Sequence, residues 1–251
     1  MSTRNNISRK YENIARYDDG NYEINEAYRG IRTFLTVDDN LKTILITSSE
    51  MNEGKTTTAA NIARCFAELE NKKTIIIDCD FRKKSLNKYF SLDRKTLGLS
   101  DIIYNKRSLD DCIYQFGNLD ILFCGTMSNN SAVLLQSART KEFIQSLKEK
   151  YDYIFIDSPP IGRVNDACII AQYVDGTVVV AASKETDKNQ AKVVRSRLQK
   201  VNANIVGVIL NKFKTKDYKN YSYYGYYEYD DNFNKFRLFR RKKHKRKEEI
   251  V

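Results

Sequence analysis

Residues 43–57 read TILITSSEMNEGKTT, a short and mostly β-branched run followed by a loop that ends in Gly54-Lys55-Thr56. The apolar run predicts a strand buried on both faces, and the residues after the loop have helical spacing. A strand, a loop with Gly-Lys-Thr and a helix together predict a phosphate-binding P-loop, because backbone N–H groups at a helix start attract anions. In such a loop, Lys55 reaches the β- and γ-phosphates of a nucleotide and the Thr56 hydroxyl holds Mg²⁺.

The loop departs at one position from the general pattern G-x-x-x-x-G-K-[ST], because residue 49 is Ser49 and not glycine. Asn52 can compensate, since asparagine tolerates left-handed backbone better than most residues. A turn that contains Gly-Lys-Thr by chance is the alternative interpretation. The loop residues that we predict to contact nucleotide are Asn52, Glu53, Gly54, Lys55, Thr56 and Thr57.

Five further short apolar runs follow, separated mostly by stretches with helical spacing. The runs cover residues 74–77, 119–123, 153–156, 177–180 and 205–210, and the helical stretches cover 24–37, 57–70, 139–150, 166–172 and 188–200. Because strands and helices alternate, we predict an α/β fold with a mostly parallel sheet flanked by helices. We expect a flexible N-terminal arm at 1–20, one folded domain at 21–213 and a tail at 214–251.

Acidic residues stand at the ends of two of these runs. Asp78 and Asp80 close the run at 74–77, and Asp157 closes the run at 153–156. In a parallel sheet, ligands collect at the carboxyl ends of strands, so we expect all three carboxylates to face the P-loop. Asp157 has the context of a Walker B carboxylate, while solvent-facing acids in a turn are the alternative for the first two. Together with the loop, the acids predict a site for a Mg-nucleotide.

The charge, the cysteines and the histidine of the chain argue against several classes of protein. The formal net charge of the 251 residues is +11, but residues 235–251 contain nine Lys or Arg and only two Asp or Glu. The nearly balanced remainder argues against a nucleic-acid-binding protein. The chain has five scattered cysteines without a C-x-x-C pair, which excludes a disulfide framework and a zinc knuckle. His244, the only histidine, lies in the basic tail, so no histidine base is expected in the folded domain.

The sequence also indicates in which compartment of the cell the protein is found. No apolar run approaches the roughly 18 residues that a membrane-spanning helix needs, and residues 1–10 are polar, unlike a secretion signal. We therefore expect a cytoplasmic protein. The basic run at 240–247 can contact the inner membrane leaflet at roughly 1 kcal/mol per basic residue. A solvated basic tail is the alternative.

The tail is rich in tyrosine and lacks both strand-like alternation and a helical period. Residues 218–229 hold seven of the 17 tyrosines: Tyr218, Tyr221, Tyr223, Tyr224, Tyr226, Tyr227 and Tyr229. An extended tail of this kind can enter a neighbour's active site as a substrate, because it has little structure to break. Each phosphate would add about −1.5 to −2 charge to the basic tail. A sticky low-complexity tail is the rival interpretation.

Three motifs carry a family resemblance. They are S-S-x-x-x-E-G-K-T-T at 48–57, I-I-I-D-x-D-x-R at 75–82 and I-F-I-D-S-P-P at 154–160, followed by the tyrosine-rich tail. This combination resembles the bacterial tyrosine kinases (BY-kinases) of capsule and exopolysaccharide synthesis in their stand-alone cytoplasmic form. The resemblance implies a P-loop NTPase fold of the deviant Walker A type. It also implies an ATP-dependent protein-tyrosine kinase that phosphorylates its own C-terminal tyrosines in trans.

The resemblance also implies roles for single residues. Asp78 becomes the base for the tyrosine hydroxyl, Asp80 helps to order Mg²⁺ and Arg82 joins the nucleotide-binding set. Asn211 matches the place where related P-loop folds hold the base. Helix residues in the pattern E-x-x-R-x-x-R are associated with assembly into a ring, typically an octamer, and an exposed intrahelical ion pair is the alternative. These residues are Glu26, Arg29 and Arg32.

The resemblance implies two partners. One is a membrane chain-length regulator, or polysaccharide co-polymerase, that recruits the kinase to the inner face of the membrane and activates it. The other is a protein-tyrosine phosphatase.

The chain departs from the family in its loop, which reads P-G-E-G-K in the family and has Met51-Asn52 in place of P-G here. A nucleotide-dependent scaffold with weak catalysis therefore stays open. A partitioning or positioning ATPase is the other alternative, but Glu50 stands where those proteins carry a lysine.

Overall fold

A computed structural model describes residues 5–6, 20–92, 96–126 and 130–213. The strands are β1 (Asn5–Asn6), β2 (Thr43–Ser48), β3 (Thr74–Asp78), β4 (Ile113–Phe116), β5 (Leu119–Leu122), β6 (Tyr153–Asp157), β7 (Gly176–Ala182) and β8 (Ile205–Asn211). The helices are α1 (Tyr22–Leu35), α2 (Lys55–Phe66), α3 (Ser85–Tyr89), α4 (Leu99–Asn105), α5 (Leu109–Cys112), α6 (Ser131–Gln136), α7 (Ala138–Ser146), α8 (Asp166–Ile170) and α9 (Lys188–Lys200), with a 3₁₀ turn at Leu147–Glu149. The predicted tail and most of the predicted N-terminal arm lie outside the described residues.

One sheet holds all eight described strands, in the order β1-β4-β5-β3-β6-β2-β7-β8. Neighbouring strands run parallel except β4 and β5, which form an antiparallel pair. The predicted α/β architecture with a mostly parallel sheet is therefore confirmed, and each of the six predicted apolar runs forms a strand. The strand β4, the two-residue β1 and the short helices α3 to α6 were not predicted from the sequence.

The central strands are apolar throughout because helices cover both faces of the sheet. Ile75 and Ile77 of β3 pack into the core on one face, with helices such as α7, α8 and α9. Ile76, between them, packs into the core on the other face, with Phe66 of α2 and Phe155 of β6. Phe66 meets Phe155 edge-on at 5.0 Å between ring centroids. This two-sided packing fixes the positions of the strand ends from which the site is built.

Helix α1 packs on α2, and its position follows from its sequence. Asn21 caps it by accepting a hydrogen bond from the Ile24 N–H at 3.2 Å, so the helix starts two residues before the predicted one. At its other end, the Arg32 guanidinium donates to the Cys65 carbonyl of α2 at 2.7 Å. No helix in the described part of the chain is both long enough and apolar enough to cross a membrane.

Asp175 ties the starts of β2 and β7 together, at the opposite end of the strands from the P-loop. Its Oδ2 accepts from the N–H and the hydroxyl of Thr43, each at 2.8 Å, and its Oδ1 accepts from Lys148 Nζ at 2.6 Å. Burial alone would raise the pKa of Asp175, but Lys148 and the Thr43 donors outweigh it and hold the pKa below 3.8. The ionised form therefore stabilises the fold.

We expect Asp175→Asn to lower the free energy of unfolding at pH 7 by about 1.5–3 kcal/mol, the range for hydrogen bonds to a charged group. The folded pKa is depressed, so the stabilisation is present above pH 3.8 and is lost as the pH falls through the folded pKa. Urea unfolding between pH 3 and pH 7 measures both effects. Asp39→Asn, at an exposed position, is the control. A difference from the wild type that stayed constant down to pH 3 would contradict the electrostatic explanation.

Candidate active site

The P-loop between β2 and α2 has the backbone that its sequence requires. Asn52 has φ +67°, the left-handed conformation predicted for it, and Gly54 has φ +90°. A Cβ on Gly54 would lie 2.0 Å from Nδ2 of Asn211, so only glycine fits there. That amide in turn donates to the Glu53 carbonyl at 2.9 Å. Asn211 of β8 therefore lies directly against the loop, and its contact with a nucleotide base stays a prediction.

The Glu53 side chain braces the loop from inside. It is buried, and its carboxylate accepts from the Glu50 N–H at 2.9 Å and from the Thr186 hydroxyl. Both carboxylate oxygens therefore have partners within the protein. Any contact of Glu53 with a nucleotide falls to its backbone, as in loops that bind phosphate through N–H groups.

Lys55, the first residue of α2, reaches two carboxylates at the strand ends. Its Nζ lies 3.1 Å from Asp157 Oδ1 and 3.3 Å from Asp80 Oδ2. The ammonium also donates to the Thr56 hydroxyl at 3.1 Å. Burial lowers the pKa of Lys55, but Asp157, Asp80 and Asp78 together raise it above its ordinary value. The lysine is thus held in its charged form by acids from β3, β6 and the loop after β3.

Asp78 lies behind these groups, fully buried at the end of β3. It aligns with Asp157 across the parallel pair of β3 and β6, and its Oδ1 accepts from the Asp80 N–H at 2.8 Å. Burial, and next the charge of Asp157, raise the pKa of Asp78 to about 8. Burial likewise raises the pKa of Asp157. Two acids that resist ionisation side by side make this strand end a place where a cation is favoured.

The carboxylates fit a divalent cation without forming a complete cage for one. Oδ2 of Asp78 and Oδ2 of Asp157 are buried, and neither has a hydrogen-bond partner in the part of the chain that the structure describes. Among those same residues, no group of three His, Cys, Asp or Glu is arranged to hold a metal ion. Mg²⁺ is commonly bound by one or two carboxylates together with phosphate oxygens. The donor set of Thr56, Asp80 and Asp157 suits that mode.

A cavity of about 340 Å³ opens over the loop and brings together most of the predicted residues. Its floor contains Lys55 and Asp80, one wall is α3 and the other wall is the segment after β6. Asn52, Gly54, Thr56, Thr57 and Arg82 also line it. Asp78 and Asp157 do not line the cavity but lie next to Lys55 behind its floor.

The cavity walls include residues that the sequence analysis missed. They are Met51, Lys83, Ser85, Lys88, Tyr89, Pro159, Pro160, Arg163 and Val164. Positions 85, 88 and 89 have helical spacing, but α3 is only five residues long, too short for a periodic signal to identify it. Pro159 and Pro160 belong to one of the three motifs, but only the structure shows that they line the cavity.

The residues predicted to assemble a ring lie on α1 and do not line this cavity. Glu26 and Arg29 form an exposed ion pair at 2.6 Å within the helix. Arg32 is engaged inside the subunit with the Cys65 carbonyl and lies 4.0 Å from Glu68 Oε2. The seven predicted acceptor tyrosines lie outside the described residues.

Hydrogen bonds nevertheless connect α1 to the cavity wall. The Asn61 amide of α2 donates to the Tyr28 hydroxyl of α1 at 3.1 Å, and the Tyr89 hydroxyl of α3 donates to Asn61 Oδ1 at 2.5 Å. Asn61 and Tyr89 are almost completely buried. The helix with the exposed ion pair and the wall of the cavity therefore share one amide.

Because Lys55 is the counter-charge of buried carboxylates, its removal should change the free energy of unfolding. We expect Lys55→Met to lower the free energy of unfolding by roughly 3 kcal/mol without Mg²⁺, because it leaves buried carboxylates without their counter-charge. Adding Asp157→Asn to the same chain should restore part of the loss. Urea unfolding in EDTA measures both, with Lys88→Met, an exposed lysine of the same cavity, as the control. Strictly additive losses in the double variant would contradict the coupling.

Comparison with known proteins agrees with this geometry. A family model described as an AAA domain matches residues 41–211. Tyrosine-protein kinase YwqD of Bacillus subtilis is 36% identical over 213 residues, which are 83% of this chain and 89% of that protein. The kinase domain of the Escherichia coli tyrosine kinase ETK is 26% identical, with a TM-score of 0.73 over 81% of this chain and 82% of that one.

The septum site-determining protein MinD of Pyrococcus horikoshii, complexed with Mg-ADP, shares the fold more distantly. It is 28% identical, with a TM-score of 0.57 over 68% of this chain and 70% of that one. YwqD has the higher identity, and both tyrosine kinases match a larger share of this chain than MinD does. The resemblance drawn from the three motifs is confirmed. The chain belongs to the family of bacterial tyrosine kinases and is a protein-tyrosine kinase.

Proposed function

We propose that this kinase uses Mg-ATP to phosphorylate the tyrosines of its own tail in trans, and that it regulates capsular or exopolysaccharide synthesis and export. The observation that carries the proposal is the juxtaposition of Lys55 with the carboxylates of Asp80 and Asp157 at a P-loop. Such a site supplies cations for phosphate and oxygen ligands for Mg²⁺, with the carboxylate of Asp78 next to them behind the cavity floor. Those are the groups that phosphoryl transfer from ATP to a hydroxyl requires.

In the proposed reaction, the loop N–H groups of 52–57 and the Lys55 ammonium hold the phosphates. Arg82 adds positive charge at the cavity, and Asn211 contacts the base. Thr56, Asp80 and Asp157 would hold Mg²⁺, which when bound neutralises charge on the β- and γ-phosphate oxygens. The phosphates compete for Lys55 Nζ and draw it from Asp80 and Asp157, which uncovers the carboxylates.

Asp78 then takes the proton from the tyrosine hydroxyl. The phenolic oxygen forms a bond to the γ-phosphorus while the bond from that phosphorus to the β-phosphate oxygen breaks. The products are phosphotyrosine and ADP, and the proton ends on the Asp78 carboxylate. Asp78 accepts this proton only in its ionised form, which its raised pKa disfavours in the free protein and which a cation bound beside it would favour.

Assembly and location complete the proposal. Glu26 and Arg29 are exposed, with 47% and 44% of their side chains accessible, and can exchange their mutual ion pair for contacts with a neighbouring subunit. A ring, typically an octamer in this family, would bring each tail to the next subunit's cavity. A membrane co-polymerase would activate the kinase at the inner face of the membrane, and a protein-tyrosine phosphatase would reverse the modification. The basic run at 240–247 offers a further contact with the membrane surface.

The catalytic proposal predicts that Asp78→Asn reduces the rate of tail phosphorylation by at least about 100-fold, the lower range for loss of a general base. The amide keeps the shape of the carboxyl and can still accept from the Asp80 N–H, so we expect the variant to fold. The measurement is mass spectrometry of the purified chain over time after addition of Mg-ATP.

Asp120→Asn is the matched control, because Asp120 is also buried in the sheet but binds the Tyr151 hydroxyl, away from the cavity. Phosphorylation of 218–229 at the wild-type rate in Asp78→Asn would refute the assigned base. If the wild type bound ATP but gained no phosphotyrosine, with or without a co-polymerase tail, a nucleotide-dependent scaffold or a switch ATPase would replace the proposal.

The assembly proposal predicts that Glu26→Ala with Arg29→Ala yields smaller particles in multi-angle light scattering. The variant should stay folded, because an exposed ion pair of this kind contributes about 0–1 kcal/mol. Arg32 is left unchanged because it binds Cys65 within its own subunit. Substitution of the exposed pair Lys212 and Glu185 by alanine is the control. An unchanged mass for the α1 variant, when the wild type is oligomeric, would refute the assigned interface.

A further inference from the structure

The cavity extends beyond the part that a nucleotide's phosphates need. Gly54 to Thr57 form the phosphate cradle, and Asn211 lies against Gly54 but does not line the cavity. The remaining space lies between α3 and the segment after β6. Because the nucleotide base is assigned to the Asn211 side of the loop, this space is left for the phosphate acceptor.

The side chains around that space suit an aromatic ring. Tyr89 on α3 faces it from one wall, and Pro159, Pro160 and Val164 face it from the other. Met51, whose side chain is largely exposed, lies at the loop. Asp80 adds a carboxylate at the floor. A phenol can thus rest on apolar walls while its hydroxyl approaches the acids.

The remaining charges around the cavity are positive. Arg163 is paired with Glu50 at 2.8 Å, and Lys83 donates to Asn52 Oδ1 at 2.9 Å. Arg82 and Lys88 are exposed, and neither side chain forms an ion pair with any residue in the described ranges. These two cations are therefore available to a ligand, and an acidic one is favoured.

The seven tail tyrosines differ in the charges beside them. Residues 227–231 read Tyr-Glu-Tyr-Asp-Asp, so Glu228 separates two tyrosines and two aspartates follow the second. Residues 214–221, by contrast, read KTKDYKNY and carry three lysines and one acid. An extended chain advances about 3.3–3.6 Å per residue, so acids one or two positions from a tyrosine lie within ~7 Å of it along the chain.

We propose that the cavity selects tyrosines flanked by acids, with Lys88 binding the flanking carboxylates, so that Tyr227 and Tyr229 are phosphorylated before Tyr218 and Tyr221. The inference rests on the proposed function and adds the substrate class of the same site. Lys88 acts here as a specificity residue, since it contacts the flanks of the substrate and not the reacting atoms. The selection weakens in high salt, because exposed charges are screened.

Three synthetic peptides test the proposal with the full-length kinase and Mg-ATP. The first is residues 222–233, SYYGYYEYDDNF; the second is the same peptide with Glu228→Gln, Asp230→Asn and Asp231→Asn; the third is residues 214–225, KTKDYKNYSYYG. We expect kcat/KM to fall roughly five- to tenfold from the first peptide to the second, mostly through KM, as for two partly exposed ion pairs. The third peptide should be no better than the second.

The enzyme variant Lys88→Glu identifies the residue responsible. It should bring the ratio between the first two peptides to about one at low salt, and a peptide with lysines at 228, 230 and 231 should regain turnover with this variant. Equal kcat/KM for the acidic and neutral peptides with the wild type would overturn the inference and leave the kinase assignment intact. An acidic preference undiminished in Lys88→Glu would overturn the role of Lys88. Absence of phosphate from every peptide and from the tail would contradict the proposed function itself.

Discussion

The structure of the site depends on one buried ammonium group among three buried or nearly buried carboxylates. Lys55 contacts Asp80 and Asp157 directly, and Asp78 stands behind them. Three carboxylates and one ammonium group in a desolvated place do not balance. Burial, and next the charge of Asp157, raise the pKa of Asp78, and among the described residues one oxygen each of Asp78 and Asp157 has no hydrogen-bond partner. The arrangement is unfavourable alone and becomes favourable when a cation and phosphates enter together.

The sheet positions this charge cluster and offsets its cost in stability. β3, β6 and β2 are adjacent and parallel, so the ends of β3 and β6 place Asp78 beside Asp157, while the end of β2 leads into the loop that places Lys55. The same strands are packed on both faces by isoleucine and phenylalanine, which supplies the hydrophobic stabilisation that offsets the charge cluster. At the other end of β2, Asp175 is fully paired and stabilising. Unbalanced charge is therefore found at the end of the strands that carries the P-loop and the cavity.

Much of this could be predicted from the sequence because it lies in strong local signals. The six apolar runs predicted six strands that the structure contains, and the Gly-Lys-Thr sequence between a strand and a helix predicted the P-loop. Helices α3 to α6 and β4, of four to seven residues each, are too short for a period to appear, so Lys88 and Tyr89 were missed. The hydrogen bond of Arg32 within its own subunit could not be predicted either, because only the fold shows that the Cys65 carbonyl lies within reach of the guanidinium. Likewise, sequence places Asp78 and Asp80 two residues apart but does not show that only Asp80 lines the cavity.

The contacts of α1 also show how the helix with the proposed assembly surface is joined to the cavity. The exposed pair Glu26 and Arg29 lies on the same helix as Tyr28, whose hydroxyl accepts from Asn61. Asn61 also accepts from Tyr89, which lines the cavity. Because Asn61 is buried, loss of its bond to Tyr28 would cost about 1 kcal/mol, the net contribution of a typical hydrogen bond. The two hydrogen bonds of this one buried amide therefore join α1, α2 and α3, so the helix with the exposed ion pair and a helix that lines the cavity share a structural link.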